Sequence, residues 1–208
     1  MARYIGKKNK IYRRRIPELF LNNSVIIKKN KKKIFKKKIF NIKKKSFLYS
    51  SNYKLQLFEK QKIKYIYGIL EKQFRNYFNL SIRKRGNTAE NFIKLLESRL
   101  DNIVYRMGFT NTRSEARQIV SHKFIKVNNI IVNIPSYLLK ENDIVTLRNK
   151  FKNKNNIKNY LKLFKKIGFP NWIKVNIKKF EGIYLRKPNI KDINEKINIF
   201  SVIEFFSK

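Results

Sequence analysis

Arg113, Ser114, Arg117, Gln118 and Lys123 are presented together by a connecting turn and the helix that follows it. Guanidinium forks and hydroxyls suit phosphate oxygens, and a helix start adds backbone N–H donors and the positive end of the helix dipole. A solvated helix face carries the same residue types, so spacing alone leaves both readings open. Two other groups are candidates for acid–base work. Asp101 follows Arg99 within a predicted helix, where a helix-surface or ion-pairing aspartate is the plainer reading. His122, the one histidine, falls at a helix end, where a solvent- or ligand-facing side chain is expected rather than a catalyst. Cysteine is absent, which removes thiol nucleophiles, disulfides and cysteine-ligated zinc. Neither a metal nor a cofactor is expected, and the chain reads as a binder rather than an enzyme.

The elements around these residues follow from hydrophobic spacing. Gln61 to Phe78 reads as one amphipathic helix, with Ile63, Ile66, Leu70, Phe74 and Tyr77 recurring every three or four residues. Arg83-Lys84-Arg85-Gly86 breaks that pattern. Asn87 with Glu90 forms a capping box opening a second helix, which runs through Phe92, Leu96, Leu100 and Val104 to Met107 and ends at Gly108. Thr112 with Glu115 forms another box, and Ala116, Ile119 and Val120 make the buried stripe of a third helix. Short strands follow at 124–127, 130–132 and 144–147, the first two joined by the hairpin-compatible pair Asn128-Asn129. Short helices beside a small sheet make a compact α/β module over about residues 90–150. Ile157 to Ile167 is again helical, stopped by Gly168 and Pro170. Trp172 to Tyr184 reads as extended, and the last dozen residues are apolar enough to dock.

Across 208 residues, 51 Lys and Arg stand against 13 Asp and Glu, a formal net charge of +38. Such a balance argues against an enzyme for small neutral metabolites and for a large polyanionic partner. With 42% of residues apolar and 14% aromatic, the chain is too hydrophobic to be wholly disordered. No apolar run approaches the roughly 18 residues of a membrane span. The charge is concentrated: residues 1–50 carry 18 basic side chains and one acid, Glu18. Their run from Lys28 to Lys45, punctuated by Ile34, Phe35, Ile39 and Phe40, reads as an arm that orders on its partner. A solvated charge run, a nuclear-localisation patch and a membrane-surface helix compete for the same segment. Lysine far outnumbers arginine, and Asn, Ile and Phe are abundant, as mutational pressure in an AT-rich genome produces.

Several stretches resemble a known family. They are Met1-Ala-Arg-Tyr-Ile-Gly6, Glu59 to Gly68, Gln73-Phe-Arg-Asn-Tyr77, Arg99-Leu-Asp-Asn-Ile-Val-Tyr-Arg-Met-Gly-Phe109, Arg113-Ser-Glu-Ala-Arg-Gln-Ile-Val-Ser-His122, Asp143-Ile-Val-Thr-Leu147 and Glu181 to Pro188. In order and nearly end to end, these resemble the bacterial-type small-subunit ribosomal protein four family. The resemblance implies an α+β fold: a helical domain built from N- and C-terminal parts, with a small α/β RNA-binding module inserted between them. The corresponding boundaries are a basic arm at 1–50, the first helical part at 51–89, the module at 90–150, and a C-terminal part at 151–208 returning to the helical domain. It implies direct binding of small-subunit ribosomal RNA, nucleation of the subunit body, and a contribution to decoding accuracy beside proteins five and twelve. By matching position, Arg99, Arg106, Arg113, Arg117, Gln118, His122 and Lys123 fall in the RNA-binding module. Lys43, Lys44 and Lys45 match a basic segment near where messenger RNA enters the subunit. With Ser114 and Lys126 of the module, Arg3, Arg13, Arg14 and Arg15 of the arm, and Arg75, Arg83, Lys84 and Arg85 before the module complete the expected RNA-binding set. Three features depart from the family: its arm segment of Pro-Gly-Gln-His-Gly type, its hairpin glycine (here Asn129) and the cysteine cluster of its zinc-binding members.

Two rival classes make different demands. Pseudouridine synthases share the small module, and Arg99-Leu100-Asp101 superficially resembles their catalytic triplet, but no separate catalytic domain follows. A peripheral membrane protein would need an amphipathic arm helix, which the lysine spacing does not support. An AT-rich composition and a family-like start lead to the expectation of an organellar ribosome, that of an apicoplast-type plastid ahead of a mitochondrion or a bacterial cytoplasm.

Overall fold

The computed structural model describes residues 51–152, 155–193 and 197–207. The described residues divide into two compact units, one of residues 51–74 with 197–207, the other of residues between 75 and 193.

In the first unit, α1 (Asn52–Tyr67) starts at Ser51, whose hydroxyl accepts from the Lys54 amide. It stops at Gly68, which adopts φ 63° and donates its N–H to the Lys64 carbonyl. The single helix read across 61–78 is therefore two, because a left-handed residue ends one helix before α2 (Glu71–Ile82) begins. Glu71, in the first turn of α2, takes Lys60 at 2.8 Å and Lys64 at 3.1 Å. The tail docks as expected: α8 (Ile199–Ser207) packs on α1, with the Tyr53 and Phe205 ring centroids 5.5 Å apart and the buried Lys60 ammonium 4.5 Å from the Phe205 ring. The Asn198 amide donates to the Glu59 carboxylate at 3.1 Å.

In the second unit, Asn87 caps α3 (Thr88–Glu97) by accepting from the Ala89 amide at 2.9 Å. The helix expected to run on to Met107 breaks at Ser98 and Arg99. Arg99 is extended and bridges Leu138, while the next two amides leave the helical pattern: Leu100 donates to the Tyr137 carbonyl and Asp101 to that of Pro135. Helix α4 (Leu100–Arg106) then runs to Met107 and the left-handed Gly108, and α5 (Arg113–Ser121) is capped by the Thr112 hydroxyl. Glu115 does not close the expected box on Thr112; its carboxylate reaches one residue further back, to the Asn111 amide at 3.1 Å.

Strands β1 (Ile125–Val127), β2 (Ile130–Ile131) and β3 (Ile144–Leu147) lie where the alternation places them. Asn128 and Asn129 turn the first hairpin at φ 48° and 67°, so both residues take the left-handed conformation of a tight primed turn. The sheet is larger than expected. After α6 (Asn149–Lys152) and α7 (Asn155–Ile167), β4 (Ile173–Asn176) and β5 (Glu181–Tyr184) form a second hairpin. β5 pairs with β3, giving one antiparallel sheet in the order β2-β1-β3-β5-β4. The division at 150 is thus corrected: Trp172 and Tyr184 belong to the same core as Leu100, Ile103, Val104, Ala116, Val120, Val145 and Leu147. Gly182 lets α4 approach the sheet, since a Cβ there would stand 2.6 Å from the Met107 sulfur. With each large apolar side chain contributing about 1.5–3 kcal/mol on full burial, this core fixes the angle at which α4 and α5 meet.

Candidate nucleic-acid interface

Ala116, Ile119 and Val120 turn one side of α5 into the core. The other side carries exposed Ser114 and Gln118 with half-buried Arg113 and Arg117, followed by exposed His122 and Lys123. His122 stacks on Phe124, with near-parallel planes and centroids 6.2 Å apart. Lys123 takes φ 61°, the left-handed position that follows the α5 cap, and Arg148 donates to its carbonyl at 3.1 Å. Lys126 lies half-buried on β1 between inward-facing Ile125 and Val127, paired across the sheet with Ile131 and Thr146. Hairpin and sheet are tied together by Asp143, which accepts from the Asn128 side chain at 2.8 Å and the Lys140 amide at 2.7 Å.

A buried carboxylate stands behind this surface. Glu97, with no exposed side-chain area, accepts from Arg106 Nη2 at 2.8 Å and Nε at 3.2 Å. The same carboxylate accepts from Asn102 Nδ2 at 2.6 Å, and Asn102 Oδ1 accepts from Arg113 Nε at 2.8 Å. The Arg113 guanidinium lies 4.6 Å from the centroid of the Tyr105 ring. Three helices thereby place Arg106 and Arg113 through one connected set of side chains.

Arg75 is exposed on α2, and Arg83, Lys84 and Arg85 are exposed in the turn that follows it. That turn is fastened by Asn91, whose amide donates to the Lys84 and Arg85 carbonyls at 3.2 and 3.1 Å.

Arg99 is a correction. Read as an RNA contact, it is only 2% exposed. Its Nε and Nη2 grip Asp101 at 3.0 and 2.6 Å, and Nη1 donates to the Tyr77 hydroxyl at 2.8 Å. Burial opposes the charge, but the Asp101 carboxylate outweighs it and holds the guanidinium pKa above its usual value. The same geometry gives each Asp101 oxygen a guanidinium N–H, so Asp101 is a buried ion-pairing aspartate, 4% exposed. Arg106, half-buried, is held by Glu97 as part of the scaffold. Arg3, Arg13, Arg14, Arg15, Lys43, Lys44 and Lys45 lie outside the described residues.

Glu97, Asn102 and Tyr105 escape the sequence reading. A signal for Glu97 exists: it is an acid immediately after Leu95-Leu96 in a strongly basic chain, a position where an unpaired carboxylate would be costly.

Comparison with known proteins agrees with this geometry. The family model of the ribosomal protein S4/S9 N-terminal domain matches residues 3–97, and that of the S4 domain matches residues 98–145. The chain belongs to the ribosomal protein S4 family. Over 208 residues it is 49% identical to the small ribosomal subunit protein uS4 of Chromobacterium violaceum, covering all of both chains. It is 47% identical to that of Variovorax paradoxus and 46% to that of Delftia acidovorans, again covering both chains fully. The S4 match begins at the α3–α4 break and takes in α4, α5, β1, β2 and the first two residues of β3. It therefore includes Asn102, Arg106 and every α5 residue of the candidate interface. No helix among the described residues is long and apolar enough to cross a membrane.

Proposed function

We propose that this chain is a structural constituent of the small ribosomal subunit that binds its ribosomal RNA directly. The observation that carries the reading is the α5 face: Arg113, Ser114, Arg117, Gln118, His122 and Lys123 lie on one side of a capped helix inside the S4-matching segment. Arginine forks and a helix start are suited to phosphate oxygens, and Lys126, Arg75 and the Arg83–Lys84–Arg85 turn extend the basic surface. Arg3, Arg13, Arg14, Arg15 and Lys43 to Lys45 belong to the same function, the last three at messenger RNA where it enters the subunit.

In this reading the protein acts by organising RNA and neighbouring proteins, protein five among them, and performs no reaction. It helps to nucleate the subunit body and to set decoding accuracy. The full-length relatives, all named small ribosomal subunit proteins, favour this reading over the pseudouridine synthase alternative. The setting is a bacterial-type ribosome. Identity of 46–49% to relatives from bacteria favours the bacterial cytoplasm, while only the AT-rich composition supports a plastid.

Titration of the full chain against small-subunit ribosomal RNA at several salt concentrations tests the proposal. If about eight phosphates are neutralised, log affinity falls by roughly six units per decade of salt. An affinity that stays flat from low to moderate salt overturns it.

A further inference from the structure

We infer that Asn102 and Glu97 are positioning residues of the RNA interface: they set the Arg113 guanidinium in place before RNA arrives and do not touch RNA themselves. The inference rests on the α5 reading above and deepens it. Asn102 is 1% exposed and Glu97 fully buried, so neither can meet a phosphate. Their hydrogen bonds nevertheless run in one direction. Asn102 Nδ2 donates both to the Glu97 carboxylate at 2.6 Å and to the Glu97 carbonyl at 3.1 Å. With its amino group so committed, the amide must turn its oxygen the other way, where Arg113 Nε donates to it at 2.8 Å.

The consequence is preorganisation. An arginine held at Nε by Asn102 and against the Tyr105 ring has its guanidinium plane fixed before an anion arrives. Rotamer freedom surrendered during folding is not lost again on binding, so affinity rises without a new contact to RNA. The neutral amide is also the group that fits. An aspartate at position 102 would give up the Nδ2 donor that Glu97 accepts from and set a second carboxylate against it, where like charge opposes ionisation.

The test is a double-mutant cycle on the full chain, with a transcript of Chromobacterium violaceum small-subunit ribosomal RNA as the probe. Arg113→Ala should weaken binding. Asn102→Leu, close in volume but unable to accept a hydrogen bond, should weaken it about tenfold, the scale of one hydrogen bond to a charged group. The double variant should bind no worse than Arg113→Ala alone. Losses that multiply, or an Asn102→Leu variant that binds like the parent, overturn the inference. No loss from Arg113→Ala overturns the interface reading itself, and the inference with it. Should Asn102→Leu fail to fold, 15N relaxation of the Arg113 Nε–Hε group in the unaltered, RNA-free chain decides. Order comparable to the backbone supports positioning, and motion like that of exposed Arg83 overturns it.

Discussion

The hydroxyl of Tyr184, at the end of β5, lies 2.8 Å from that of Ser98, the residue at which α3 breaks from α4. Two segments 86 residues apart thus meet in a buried hydrogen bond at the break that precedes the helix pair α4 and α5. Burial pushes the Tyr184 hydroxyl up to about 12, against a smaller opposing pull from Ser98. An unfolded tyrosine ionises near about 10, so the unfolded chain releases this proton first. The stability owed to Tyr184 is therefore complete below that value and is lost as pH rises through the folded value. Tyr184→Phe should cost about 1 kcal/mol at neutral pH. It should also flatten the decline of stability at alkaline pH, which urea melts at neutral and alkaline pH would read.

Arg113 and Arg117, four residues apart on α5, should act as a site and not merely as charge. Replacing both with alanine should weaken ribosomal RNA binding by a few kcal/mol, at about 1.5–3 kcal/mol per charge-assisted hydrogen bond. Lys158 and Lys162, exposed at the same spacing on α7, provide the control. Comparable losses from the two double variants, measured at one salt concentration, would reduce the α5 face to general electrostatics.

Arg99 and Asp101 should matter for folding. Arg99→Ala strands a buried carboxylate and the Tyr77 hydroxyl, and should cost about 3–5 kcal/mol in chemical denaturation. Converting the pair together, Arg99→Met with Asp101→Leu, should recover most of that loss, because two apolar side chains leave no buried charge. A double variant as unstable as Arg99→Ala would mean that the Tyr77 contact and local packing dominate.

Fragment boundaries give a third kind of check. Residues 75–195 contain the whole sheet and its core and should unfold cooperatively on their own. Residues 90–150 lack β4 and β5 and remove Trp172 and Tyr184, so they should give a broad transition or none. Circular dichroism of the two fragments distinguishes these outcomes.

Local chemistry made much of this architecture readable. Asn87 and Thr112 open helices because each offers an oxygen to an amide that the helix leaves unmet. Ala116, Ile119 and Val120 are buried because their spacing follows the helical turn, and Asn128-Asn129 reverses the chain because asparagine tolerates positive φ. Two helix breaks were hidden. Apolar residues continue at helical spacing through Gly68 and through Ser98, and the amides that depart at Leu100 and Asp101 do so for carbonyls some 35 residues away. The site divides in the same way. Exposed α5 side chains announce themselves by type, whereas Arg99 has the composition of a surface contact and becomes internal only because Asp101 and Tyr77 close around it.

The docking of α8 on α1 has a consequence for the order of synthesis. Tyr53 and the α1 lysines emerge early, but Phe205 and Phe206 are made only after the whole of residues 75–195. At ordinary translation rates that interval is on the order of ten seconds. The unit carrying the candidate interface can therefore be finished first, while α1 waits with its apolar side uncovered for the helix that completes it.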